Sequence, residues 1–187
     1  MEVNSQDNKE KLRSQILNLY GKLCYTLTSH EKEIQHLMKF ERNIKALQII
    51  LSAVSAGTII SVIFGQGIVA TLIASIVSLL LLILNSFTLK FDLSSDINNH
   101  KNATHKLWII REEYLSLLTD FNDLNLVDIR SERNKLLYRT SEVYSKSPKT
   151  SSRSYKETQR ALKVEEEQFF TVEELNQLLP PELRSKK

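Results

Sequence analysis

Residues that break helices are scarce in this sequence. Its 187 residues include only 4 Gly and 3 Pro, and Gly21 is the only residue of either type before Gly57. Signals for β-strands are also weak, because apolar residues recur at three- and four-residue steps rather than in alternation. The sequence therefore predicts an all-α protein built from long helices.

Motifs that carry catalysis are missing as well. The chain has no P-loop, no nucleophile elbow, no His-x-x-x-His pair and no C-x-x-C pair. Its single cysteine, Cys24, cannot form an intramolecular disulfide. We therefore do not expect an enzyme, and we predict no catalytic residue, no metal site and no cofactor.

Charge is absent from one long stretch. Between Lys45 and Lys90 lie 44 residues without Asp, Glu, Lys, Arg or His, although charged residues make up 25% of the chain. As one helix this stretch would be roughly 66 Å long, about twice the ~30 Å hydrocarbon core of a bilayer. Divided at Gly65-Gln66-Gly67, it gives segments of 19 and 22 residues. Each segment is close to the ~20 residues that one crossing requires.

The chain is therefore predicted to be a membrane protein with a two-transmembrane helical hairpin. The first span covers residues 46–64, the outer turn residues 65–67 and the second span residues 68–89. A soluble protein would have to cover two helices that are apolar on all sides, and the remaining sequence is amphipathic and polar. Basic residues lie at the other ends of both spans: Lys39, Arg42, Lys45, Lys90 and Lys101. Because the turn has no charge, we expect both termini in the cytoplasm.

Cytoplasmic helices are predicted on both sides of the hairpin. Residues 1–45 form an N-terminal helix, bent near Thr28-Ser29, and residues 90–144 form a helical region that begins at the capping side chains of Ser94-Ser95-Asp96. Residues 145–187 form a basic linker and short C-terminal helices. The last of these helices has a capping box of Thr171 and Glu174, and its apolar face should dock on the other helices. The two long arms should pack on each other as a bundle or coiled coil.

Small and polar residues recur along one face of each span. In the second span they form a polar stripe, which consists of Thr71, Ser75, Ser78 and Asn85. In the first span they form a small-residue ridge, which consists of Ala53, Gly57 and Ser61. Such residues let membrane helices approach closely, and they are also suited to line a pore. Because two helices cannot enclose water alone, a pore would require a homo-oligomer.

Basic residues dominate one segment near the C-terminus. This basic segment consists of Lys146, Lys149, Arg153, Lys156, Arg160 and Lys163. Three interpretations remain open: a solvated linker, contact with anionic lipid headgroups, and contact with phosphates of a soluble ligand. The net charge of +3 is small, so we do not expect direct binding of nucleic acid.

The order and spacing of several stretches resemble the SLATT domains, the SMODS and SLOG-associating two-transmembrane effector family. The resemblance covers nearly the whole chain. It rests on YGK at Tyr20, on His100 followed by LWIIREEYLSLL at Leu107, and on the tail. The tail stretches look like one subtype with a C-terminal helical extension: RNKL at Arg133, YSKSPKTS at Tyr144, YKETQRAL at Tyr155, FTVEEL at Phe170 and LLPPELR at Leu178.

The resemblance implies an effector of prokaryotic antiviral defence. Such a protein stays quiet until a nucleotide second messenger, or a nucleic-acid synthesising partner such as a reverse transcriptase, signals infection. It then assembles in the membrane lipid, opens a pore or disrupts the membrane, and halts the host cell as in abortive infection. A membrane scaffold that recruits a soluble signalling enzyme through its cytoplasmic helices is the alternative.

Overall fold

All elements in the described part of the chain are α-helices, as predicted. The computed structural model describes residues 2–63, 68–168, 170–178, 180 and 184, and for residues 2–5, 58–63 and 176 it describes the backbone alone. These ranges contain six helices: α1 (Glu2–Ile63), α2 (Ile68–Lys90), α3 (Leu93–Thr119), α4 (Leu126–Lys146), α5 (Ser152–Lys163) and α6 (Val172–Leu178). The predicted outer turn, residues 65–67, lies outside the described residues.

α1 is one continuous helix of 62 residues, roughly 93 Å long at 1.5 Å per residue. It joins the predicted N-terminal helix to the predicted first span without a break. The helix is also uninterrupted at Thr28-Ser29, where we expected a bend. The polar side chains there are buried against a later part of the chain: Ser29 Oγ donates a 3.1 Å hydrogen bond to Thr158 Oγ1 of α5.

α2 and α3 both run antiparallel to α1 and are separated only by Phe91 and Asp92. The side chain of Gln48 donates a hydrogen bond to Asn85, and Ser94 donates one to Glu41. Earlier residues of α1 thus contact later residues of α2 and α3. The expectation that Ser94-Ser95-Asp96 caps α3 is wrong. The Asp92 carboxylate is the N-cap instead, because it accepts a 2.9 Å hydrogen bond from the Ser95 amide.

The hydrophobic core lies where α1 packs against α3 and α4. Its members from α1 are Leu12, Ile16, Leu23 and Leu27, and its members from α3 are Ala103, Leu107, Ile110, Tyr114 and Leu117. Phe121, Ile129, Leu136 and Val143 complete it. The predicted bundle of cytoplasmic arms is therefore a compact four-helix assembly, and α1 carries it directly into the charge-free region.

One helical segment among the described residues is long and apolar enough to cross a membrane. It begins at Ile68, and only 6% of its most apolar window is buried, whereas the core helix of a soluble protein would be mostly covered. The segment starts where the predicted second span starts, and it continues through α3 to Thr119. The predicted first span includes residues 58–64, whose side chains lie outside the description, so the two-span hairpin stays a prediction.

The expected docking of α6 on the arms is wrong for the residues that the structure describes. Phe170, Leu175 and Leu178 are 63%, 46% and 72% exposed. The predicted capping box is confirmed, because the Thr171 amide donates to Glu174 Oε2 at 2.7 Å and the Glu174 amide donates to Thr171 Oγ1 at 3.3 Å. The cap thus forms a short helix whose apolar side is left open.

Candidate functional site

The polar stripe lies beside the contact between α1 and α2, not inside it. The residues that α2 turns toward α1 are Ala70, Ala74, Val77, Leu81 and Leu84. Thr71, Ser75 and Ser78 are exposed, and Ser75 Oγ donates to the Thr71 carbonyl oxygen of its own helix at 2.9 Å. Asn85 reaches the other helix, because its Oδ1 accepts a 3.0 Å hydrogen bond from Gln48 Nε2. Most of the stripe is therefore not used to pack the two helices of one chain.

The small-residue ridge points away from α2. The face of α1 that α2 covers contains Ile44, Gln48, Leu51 and Ser55. At about 100° per residue, Ala53 and Gly57 lie on nearly the opposite side of the helix, and both are exposed. A Cβ added to Gly57 would meet no atom within 4 Å. The side chain of Ser61 lies outside the described residues.

The basic segment spans the end of α4, a short loop and the whole of α5. All six of its basic side chains are exposed, because α5 buries the opposite face through Ser154, Thr158 and Ala161. Three of the six make ion pairs: Lys146 with Glu142, Arg153 with Glu157 and Arg160 with Glu165. Within the described chain, Lys149, Lys156 and Lys163 make none, so they present positive charge to the outside.

A buried histidine pair connects α1 to α3. His30 and His100 are each 3% exposed, and their Nδ1 atoms are 2.7 Å apart. One ring must donate at this atom and the other accept, so the two neutral rings hold opposite tautomers. Burial, together with the nearby charge of His100, lowers the pKa of His30 to about 4. Burial also lowers the pKa of His100.

Polar contacts also hold α5 on α1. The Ser151 amide and hydroxyl donate to Glu33 Oε2 at 2.8 and 2.6 Å. Burial by itself would raise the pKa of Glu33, but hydrogen bonds from Ser151 and Ser154 bring it below the ordinary value. His36 Nε2 lies 2.7 Å from Glu157 Oε2. The N-terminal half of α5, with the exposed Arg153 and Lys156, is thereby fixed beside the middle of α1.

A cleft of about 360 Å³ lies between α1, α3 and the end of α5. Its walls include Tyr20, Gly21 and Tyr25 of α1, Arg111 and Glu112 of α3, and Lys163 of α5. Gln168 lies at its edge, where its Oε1 accepts a 2.7 Å hydrogen bond from Arg111 Nη1 and its Nε2 donates at 2.9 Å to the buried hydroxyl of Thr28. The cleft therefore combines two aromatic rings with two cations and one carboxylate, and that carboxylate, Glu112, pairs with Arg111 at 2.6 Å.

Sequence reasoning missed both the histidine pair and the cleft. His100 was used only as part of the family resemblance and no role was predicted for it, yet it is buried. A signal was present, because His30 interrupts the apolar row of α1 at a position that a core residue should occupy. The cleft had no comparable signal, since its residues come from three helices and share no spacing along the chain.

Comparison with known proteins gives one family. The family model described as "SMODS and SLOG-associating 2TM effector domain family 4" matches residues 12–174. The match includes the charge-free region, the bundle of α1, α3, α4 and α5, the cleft and the first turn of α6. No curated protein matches the chain, and no solved structure matches it.

Proposed function

Since the chain belongs to the SMODS and SLOG-associating 2TM effector domain family 4, we propose that it is a membrane effector that oligomerises and opens a pore when it is signalled. Membership confirms the resemblance found in the sequence, and it implies a membrane effector in antiviral defence systems. In the proposal, the hairpin crosses the inner membrane twice with both termini in the cytoplasm. Pore opening would depolarise the membrane and stop growth.

The observation that carries the proposal is the outward direction of the polar stripe. Thr71, Ser75 and Ser78 are exposed beside the α1–α2 contact. In lipid, a row of hydroxyl groups is better placed against another protein helix or against water than against acyl chains. If several copies assembled with their polar stripes facing inward, the hydroxyl groups would line a water-filled lumen and would not contact acyl chains.

The fold also provides a route from the cytoplasm to the spans. α1 is continuous from the core into the charge-free region, and two residues separate α2 from α3. A change in the packing of α3 on α1 would therefore rotate or shift the helices within the membrane. In this proposal the activating partner acts on the cytoplasmic bundle.

The test is induced expression in a bacterial host with a dye that reports membrane potential. We expect loss of potential and growth arrest when the wild-type chain is overproduced to a level at which it assembles without its signal, and neither with the Ser75→Leu/Ser78→Leu double variant at an equal membrane level. Ser52→Leu is the matched control, because Ser52 is also exposed and also donates to its own helix, to the Gln48 carbonyl oxygen at 2.7 Å. Growth arrest with an intact membrane potential would contradict the proposal that the protein forms a pore. Arrest that survives replacement of both spans by an unrelated hairpin would favour the scaffold.

A further inference from the structure

We propose that the cleft between α1, α3 and α5 binds a small aromatic phosphate of about mononucleotide size. The inference rests on the proposed function only in that the ligand would be the cytoplasmic signal. The volume of the cleft, about 360 Å³, is near the lower end of the ~300–1,000 Å³ usual for small-molecule sites. The cleft is thus large enough for one ring and one charged group, and too small for a polymer.

The charges of the cleft fit an anion. Arg111 and Lys163 contribute two positive charges, and Glu112 contributes one negative charge. The Arg111 side chain is only 19% exposed. Its Nε and Nη2 donate to Glu112 Oε1 at 3.0 and 2.6 Å, so the Nη1 that now binds Gln168 is the donor a phosphate would use. A planar guanidinium with several donors matches the oxygens of a phosphate. Lys163 has no ion-pair partner in the described chain, and it could add a second contact.

Its aromatic residues fit a flat ring. Tyr20 and Tyr25 both line the cleft, and tyrosine rings stack on planar rings such as nucleobases. Leu115 and Leu162 supply apolar surface beside them. A ligand with both a ring and a phosphate would use both kinds of lining, whereas either part alone would leave half of the cleft unused.

Gly21 leaves an open space beside α1 that no neighbouring residue fills. It lies in the middle of α1, where glycine costs about 1 kcal/mol relative to alanine. A glycine is often kept because a neighbour approaches closely, but a Cβ added here would meet no atom within 4 Å. The open space belongs to the cleft, so the missing side chain enlarges the cleft rather than permitting a helix contact.

Gln168 occupies the place at Arg111 that the phosphate would take. Its backbone φ is +78°, and that of Glu166 is +51°, a region that residues other than glycine adopt only at a cost. The strained turn holds the amide on Arg111 and on Thr28. A phosphate would bind the guanidinium more strongly than a neutral amide does. Binding would therefore displace Gln168, break its hydrogen bond to Thr28, and release the segment after α5 from α1.

The experiment is a titration of the full chain in lipid nanodiscs with AMP, GMP, CMP and UMP. The reporter is the fluorescence of Trp108, which is the only tryptophan, half exposed, and one turn before Arg111. We expect at least one nucleotide to bind saturably, and its nucleoside and inorganic phosphate to bind at least tenfold more weakly. If none of the four binds, the proposal is overturned, whatever the outcome of the membrane-potential assay.

Four variants make the test specific. Gly21→Leu should abolish binding while raising the thermal midpoint, so the loss cannot come from misfolding, and unchanged binding by the folded variant would contradict the site. Arg111→Gln should weaken binding at least tenfold. This variant tests the site on its own if Gly21→Leu does not fold. Lys106→Gln, an exposed change on another side of α3, should leave affinity unchanged. Gln168→Ala should bind more tightly, and weaker binding would overturn the displacement.

Discussion

At the scale of single residues, the histidine pair is the least ordinary feature of the bundle. Two imidazoles share one hydrogen bond in a place where neither is exposed to water. Glu33 and Asp96 are the carboxylates whose charges act on the pair, and they favour protonation. Burial outweighs them, because the pKa of both rings is lowered. The folded bundle therefore holds two neutral rings at pH 7.

This pair predicts a loss of stability in mild acid. The unfolded chain takes up a proton at His30 near pH 6.5, whereas the folded chain does so only near pH 4. The unfolded state thus binds more protons between these values, and the free energy of unfolding falls as the pH drops through this window. The contribution is fully present above pH 6.5, and its loss should approach about 3 kcal/mol near pH 4. Thermal unfolding in nanodiscs at several pH values measures it.

The control separates the pair from the many carboxylates that also titrate in acid. Replacement of both rings, His30→Leu/His100→Leu, should cost little at pH 7.5, since no buried group is left without a partner. It should flatten the pH dependence between 6.5 and 5. The single change His30→Leu should be worse at pH 7.5, because it strands the His100 ring. The exposed His105→Leu should retain the wild-type pH dependence, and a pH dependence that persists in the double variant would contradict the assignment.

At the scale of elements, the sequence predicted the helices better than their boundaries. The capping box of Thr171 and Glu174 was predicted and is confirmed, whereas Asn125, the N-cap of α4, was not predicted. The start of α3 was misplaced because Asp92 and Asp96 both suit a cap, and geometry selects the first. The side of α2 that contacts α1 could not be predicted. A helix that is apolar on all sides has no contrast between faces from which packing can be inferred.

The docking of α5 gives a prediction at this scale. Glu33→Ala removes the acceptor of two hydrogen bonds from Ser151, the N-cap of α5. Hydrogen bonds to a charged group contribute about 1.5–3 kcal/mol. Local opening should therefore increase, and trypsin should cleave after Lys149 at least tenfold faster under native conditions. Glu132→Ala, which removes only an exposed pair with Lys135 on α4, should leave cleavage unchanged. Equal cleavage of both variants would contradict the anchoring role of Glu33.

At the scale of the whole molecule, the two helices of the charge-free region present distinct surfaces to their surroundings. The ridge lies on the side of α1 away from α2, and the stripe lies on the flank of α2. Small residues allow backbones to approach, which in lipid is a main source of helix association. The two surfaces are therefore suited to different neighbours: the ridge to a helix of a second copy, and the stripe to the interior of the assembly.

Disulfide cross-linking tests this arrangement. The only native cysteine, Cys24, can be replaced by alanine to give a cysteine-free background. In that background, Ala53→Cys should form a cross-linked dimer on mild oxidation of membranes, because the ridge would meet another copy. Val54→Cys lies at the same depth and is 41% exposed, but it is turned by about 100° from the ridge, so it should cross-link far less. Equal cross-linking at both positions would indicate random collision, and none at Ala53 would remove the ridge from the oligomer contact.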